Sequence, residues 1–202
     1  MASGVHPTKE KLISTAAELL KTLHPSEISS EMVLSNSGIS KGSLYHHFED
    51  LEHLIETALL RRYARWVNIN LDTFTTMLTS AKNSEDVYRT LAEVTKVSQD
   101  RSLKGERFFR AEVLTKASNS PRLALELQAL QNQLTESLAD LVREAQERGF
   151  FKKSNDAKSI AIFVQAYTLG KIVDDSSDNP VDANQYANLI NSVVKNVFLE
   201  PY

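Results

Sequence analysis

The chain has 202 residues, 42% of them apolar and 24% charged, with a formal net charge of −3 and no cysteine. Those values suit a soluble globular protein with one large core or two small ones, and they exclude a disulfide framework and Cys-ligated zinc or iron–sulfur chemistry. No run approaches the roughly 18 uninterrupted apolar residues of a membrane span, and the opening MASGVHPTKEK lacks the apolar core of a secretory signal, so a cytoplasmic location without a membrane partner is expected.

The elements in chain order all read as helices. Leu12, Ile13, Ala16, Leu19, Leu20 and Leu23 recur every three or four residues, which predicts a helix over Thr8–Leu23 with one buried face; His24-Pro25 ends it. Ser29-Ser30 supplies a hydroxyl cap for a short helix over Glu31–Asn36. Gly38 follows, where a tight turn needs a residue tolerant of positive φ. Ser40 caps a second short helix reaching Phe48, with Leu44 and Phe48 four residues apart as its buried seam. Helix, glycine turn and second short helix form the helix-turn-helix pattern, whose second member enters the DNA major groove.

A helix without Pro or Gly then runs from Leu51 to Ser80. Arg61, Arg62 and Arg65 on it read as a solvated or salt-bridged face. Further helices are predicted over Ser84–Asp100, Glu106–Lys116 after a break at Ser102–Gly105, Pro121–Arg148, from Asn155/Asp156 to Val173, and Asp182–Leu199. Ser120 caps the helix that Pro121 opens and Gly149 ends. No strand or repeat is visible. The fold class is therefore all-α with about nine helices. The expected division is residues 1–50 as a DNA-binding domain and 51–202 as a helical ligand-binding and dimerisation domain, coupled by a rigid helix rather than a flexible linker.

The string Ser-Gly-Ile-Ser-Lys-Gly-Ser-Leu-Tyr-His-His-Phe (residues 37–48), followed by Glu-Asp-Leu-Glu-His-Leu, resembles the signature of the TetR family of transcriptional regulators. The match spans about Lys9 to Leu60. It implies that positions Lys41, Gly42, Ser43, Tyr45 and His47 lie at the DNA surface and that Ser30 caps its helix against a phosphate. Ser29 and His46 complete the candidate DNA-binding set. The side chains suit such contacts. Lys41 can meet guanine O6/N7 or a phosphate, Gly42 permits close backbone approach, and the hydroxyls of Ser43 and Tyr45 reach phosphates or base edges.

Departures from the pattern carry expectations. Val33-Leu34 stands where the family commonly has Ile-Ala or Leu-Ala, which should set the two short helices slightly further apart. Leu51 stands where the family commonly has a Lys that meets a phosphate, so one contact per half-site should be lost. From Met1 to Trp66 there are seven Lys/Arg (9, 11, 21, 41, 61, 62, 65) against eight Asp/Glu (10, 18, 27, 31, 49, 50, 52, 56). Affinity is therefore expected to rest on helix N-termini, hydroxyls and a few placed cations.

The resemblance also implies a homodimer through the last two helices and a ligand chamber between the fourth and seventh. Aromatic and apolar residues proposed to line it are Trp66, Phe74, Met77, Tyr88, Phe108, Phe109, Phe163 and Tyr167. A small apolar or aromatic effector is expected, with Arg107 and Arg110 as the exceptions to watch. No metalloprotease motif, serine elbow, phosphate loop or dinucleotide turn is present, so neither an enzyme nor a cofactor is expected. Adjacent His46 and His47 point about 100° apart on a helix, which argues against a metal pair. The reading is a repressor that binds a palindromic double-stranded DNA operator as a dimer and is released by an effector. The alternative is a dimeric helical binding module with weak or lost DNA binding.

Overall fold

The computed structural model describes residues 6–199; the reading of the first residues as free of a secretory signal concerns mainly positions outside that span. Ten α-helical segments appear among the described residues. Helix α1 (Pro7–Leu19), α2 (Ser30–Ser37) and α3 (Lys41–His47) form a small N-terminal unit. Helix α4 (Leu51–Ser80) leads out of it, and α5 (Ser84–Ser98), α6 (Lys104–Ala117), α7 (Pro121–Glu147), α8 (Ala157–Gly170), α9 (Ile172–Asp175) and α10 (Ala183–Val193) complete the body.

Local chemistry sets most boundaries. Ser29, Ser40, Asp50, Asn83, Ser120, Asp156 and Asp182 each accept a hydrogen bond from a backbone N–H in the first turn of the following helix, which satisfies one of its orphan donors. Gly38 adopts φ 65° between α2 and α3, and Gly149 adopts φ 73° after α7; both conformations are open to glycine at little cost.

Four boundaries differ from expectation, one of them at the last helix, where α10 ends at Val193 and a π-helical turn over Val194–Phe198 follows in place of a helix running to Leu199. Helix α1 gives way after Leu19 to tight turns, because His24 caps a separate 3-10 turn at Pro25–Glu27, with Glu27 accepting the His24 N–H at 2.7 Å. The break at Ser102–Gly105 is shorter than predicted: a 3-10 turn at Arg101–Leu103 runs into α6 at Lys104. Helix α8 stops at Gly170 rather than Val173, and the one-turn α9 swings Asp175 inward, where it accepts hydrogen bonds from Nε and Nη2 of Arg107. Both side chains are 1% exposed, and an unpaired charge at that depth would be strongly disfavoured.

Two hydrophobic clusters fill the molecule. The larger joins α1, α2, α3, the first half of α4, α6, α7 and the start of α8. The smaller sits where the ends of α4 and α7 meet α10, and includes Leu78, Val87, Phe151, Ile190 and Phe198. The chain end closes this second cluster through an isolated antiparallel bridge between Phe151 and Leu199.

Helix α7 lies along α4 and holds it at both ends. Arg122 donates to Glu56 and Glu49, both at 2.8 Å, beside the α4 N-terminus. Arg148 donates to the carbonyls of Leu78, at 2.6 Å, and Ala81 at the α4 C-terminus, where a cation complements the helix dipole and the unpaired carbonyls.

Candidate nucleic-acid interface and chamber

Helix α3 divides cleanly into two faces. Leu44 is 0% and Phe48 2% exposed, anchoring the helix to α1 and α4. Lys41, Gly42 and His46 lie on the outside, Tyr45 is 45% exposed, and Ser43 and His47 are half-buried. Ser43 donates its N–H to the Ser40 hydroxyl at 3.3 Å, and the two hydroxyls are 3.0 Å apart. A Cβ added to Gly42 would meet nothing within 4 Å, so nothing within the protein requires glycine there. Of the two serines before α2, Ser29 is the cap, accepting the Met32 N–H at 3.2 Å, and Ser30 is the first helical residue.

The balance of charges is less awkward than the count implied. Six of the eight acidic residues of the N-terminal region are ion-paired: Glu18 with Lys21, Glu10 with Arg61, Glu52 with Lys116, and Glu49, Asp50 and Glu56 with Arg122. Two of those cations come from α6 and α7, so the acids serve as the join between the N-terminal unit and the body. Lys9, Lys11 and Lys41 have no acidic partner within 4 Å among the described residues. Besides Glu27 and Glu31, which make no ion pair among the described residues, the N-terminal unit carries Lys9, Lys41 and the rings of His6, His46 and His47, with centroids 4.9 Å apart for the tilted His6–His47 pair and 5.0 Å apart for the edge-on His46–His47 pair. Desolvation, and then the neighbouring His6, His46 and Lys9, hold His47 below the usual histidine pKa. Leu51, in the position of the expected phosphate-binding Lys, turns into a groove shared with His24, Ile55 and Phe108.

The second feature is a partly open chamber of about 450 Å³ between α4, α5, α6, α7 and α8, within the range of small-molecule sites. Trp66, Phe74 and Tyr167 line it, with Val94, Leu134 and Val164. Below it lies a narrower apolar void of about 50 Å³ bordered by Met77, Phe74 and Tyr167. The other predicted lining residues go elsewhere. Phe109 is core, 5% exposed, with the Arg62 guanidinium 3.8 Å from its ring centroid. Phe108 borders the outer groove between the Pro25–Glu27 turn, α4 and α6. Tyr88 packs at the edge of the second cluster, and Phe163 lies on the outer face of α8 against Tyr167 and Phe198. The period of an amphipathic helix marks such residues as inward but does not say which side of the helix meets a cavity.

Polar residues missed by the sequence reading connect this chamber to α4. Gln165, in the chamber wall, accepts from Gln131 Nε2 at 3.2 Å and donates to the Thr135 hydroxyl at 3.1 Å. Gln131 in turn accepts the hydroxyl proton of Tyr63. Burial holds that phenol above the usual tyrosine pKa. The path runs from α8 through α7 to α4.

These elements define a class: an all-α protein with the TetR-type arrangement of a three-helix N-terminal unit on a helical body. A crystal structure assigned to the TetR family from Mesorhizobium loti superposes with a TM-score of 0.71 over 96% of this chain and 97% of that one, at 18% identity. Salmonella enterica GusR gives a TM-score of 0.69 at 22% identity, covering 97% of each chain. In sequence, the HTH-type transcriptional regulator UidR of Escherichia coli K12 is 24% identical over 149 residues, 74% of this chain and 71% of that protein. No protein-family model matches the chain. The chain therefore has the fold of the TetR-family transcriptional regulators. Among the described residues no helix is long and apolar enough to cross a membrane.

Proposed function

We propose that this chain is a DNA-binding transcriptional regulator, acting as a repressor whose hold on a palindromic operator is loosened by a small-molecule effector. The observation that carries this reading is α3: its seam is buried at Leu44 and Phe48 while Lys41, Gly42 and Tyr45 face outward with no structural duty. Two such helices about 34 Å apart on a dimer would reach successive major grooves. The dimer face falls on α8 and α10, which leave Ile162 at 49%, Leu189 at 62% and Val197, just beyond α10, at 46% exposure.

The effector site is the 450 Å³ chamber beside the middle of α4. An occupant there would press on a helix that continues, without a break, into the cap of the DNA-reading unit at Asp50. A coupling of about 1–3 kcal/mol between the two sites is enough for a useful response.

A gel-shift titration at low salt, on fragments from the DNA flanking the protein's own gene, tests the reading. A specific complex weakened by Lys41→Ala and Tyr45→Ala supports it. Affinity unchanged by both substitutions indicates a helical binding module that no longer reads DNA.

A further inference from the structure

Arg110 stands out from the other buried ionic side chains. Arg107 is paired with Asp175, Lys171 with Asp174, and Glu56 with Arg122. Arg110 is 7% exposed and has no carboxylate within 4 Å and no hydrogen bond among the described residues. Its Nε is buried without a partner. The guanidinium carbon lies 4.3 Å from the Trp66 ring centroid, but a cation–π contact uses only the face of the group. The in-plane Nε–H is left buried without an acceptor.

The acids nearby are engaged elsewhere or distant. Glu106, one turn earlier, is bound to Arg62 at 2.6 Å. Glu93 borders the same chamber from α5 but is exposed and makes no ion pair with Arg110. Arg110 itself is part of the chamber wall, with Trp66, Phe74, Leu134 and Val164 as the apolar remainder. Desolvation is the largest influence on its guanidinium and, with the nearby Arg107, holds its pKa below the usual arginine value against the opposing pull of Tyr63 and Glu106.

We propose that the chamber takes an organic carboxylate with an aryl or alkyl body, its two oxygens accepting hydrogen bonds from the edge of Arg110 and its body lying against Trp66, Phe74 and Leu138. This deepens the effector reading above and rests on the chamber being a ligand site. It also adds an acidic group to the small apolar or aromatic effector expected from the sequence, since a bidentate guanidinium–carboxylate pair supplies the missing counter-charge.

Calorimetric titration of the full chain, without DNA, tests the proposal with three probes of one shape: 4-phenylbutyrate, 4-phenylbutyramide and 4-phenylbutylamine. The carboxylate should bind at least about tenfold more tightly than the amide, and the amine more weakly still. Arg110→Met should abolish the preference for the carboxylate while leaving the amide's affinity within about twofold, and should raise the melting temperature of the ligand-free protein by removing an unpaired buried cation. Equal affinities, preference for the amine, a preference that survives Arg110→Met, or no binding of the carboxylate up to its solubility limit would overturn the proposal. Should Arg110→Met fail to fold, the wild-type ranking of the three probes decides alone. Carboxylate binding by a chain that forms no DNA complex would leave this inference standing and remove the regulator reading; a specific DNA complex with no carboxylate preference would do the reverse.

Discussion

The two halves of α4 are built to different standards. From Leu54 to Val67 the helix buries Leu54, Ile55, Glu56, Ala58, Leu59, Leu60, Tyr63 and Val67. From Asn68 to Met77 no residue is buried, Ile69 is 54% exposed, and the inner side faces the chamber. Asn70 and Thr73 in this stretch bond back to the carbonyls of Trp66 and Ile69, a habit that helps bend helices. One half fixes the three-helix N-terminal unit; the other leaves space and a freer backbone. A ligand that fills the hollow half meets less resistance there than at either end, where Arg122 and Arg148 hold the rod.

Truncation should expose that difference most plainly. Leu54→Ala is expected to cost about 2–5 kcal/mol, as for other fully buried leucines, whereas Ile69→Ala should stay within about 0.5 kcal/mol in the absence of ligand. Chemical denaturation measures both, and similar losses at the two sites would erase the contrast. Next in size is Arg122→Met. It leaves Glu56, 2% exposed, without its partner, and Glu56 already has one oxygen buried without a hydrogen bond. A cost of about 2 kcal/mol is expected, discounted because Arg122 is itself a third exposed. The same change should weaken the effect of chamber occupancy on DNA affinity, since it frees the end of the rod that the DNA unit rests on.

Gly42 sharpens the comparison from the other side, because it separates folding from DNA contact. Open space surrounds its missing Cβ, so Gly42→Ala should leave the fold intact and stabilise α3 by up to about 1 kcal/mol. Any loss of DNA affinity, expected at about 1–3 kcal/mol, the size of one base contact, then reports on the DNA alone. Unchanged affinity in a gel-shift titration would mean that α3 does not approach the duplex at that point.

How much of this is legible in the sequence follows from the range of each interaction. The caps at Ser29, Ser40, Asp50, Asn83 and Ser120 act within three residues, and the 3–4 residue spacing of apolar side chains acts within a turn, so the helices can be read directly. The pairing of Arg107 with Asp175 joins residues 68 apart, and nothing local at Val173 signals that α8 must stop for it. The same holds for the chamber. Trp66, Phe74 and Tyr167 carry the same periodic signal as Phe109, yet Phe109 is packed under Arg62 while the other three border space. The excess of acids near the N-terminus misled for the same reason, since Lys116 and Arg122, which pair with four of them, lie far along the chain.

The smallest expected effect is one of pH, and it distinguishes the end carrying α3 from the body through His47. Its pKa is held below the ordinary histidine value by desolvation and by the charges of His6, His46 and Lys9. In the fold, therefore, the neutral ring is favoured more than in the unfolded chain. Its contribution to stability is full above the ordinary histidine value and is lost as pH falls through it, because the unfolded chain then binds the proton more readily. A DNA phosphate beside the ring would act oppositely, raising the pKa and drawing a proton in on binding. DNA affinity should then rise as pH falls from about 7.5 towards 6, by at most about tenfold per pH unit for a single coupled proton, and should level off below the lowered value of the free protein. His47→Asn should flatten that rise without altering the response to chamber ligands. An affinity independent of pH across the window, with the wild-type chain still binding its operator, would place His47 away from the phosphates and leave Lys41 and Tyr45 to carry the contact.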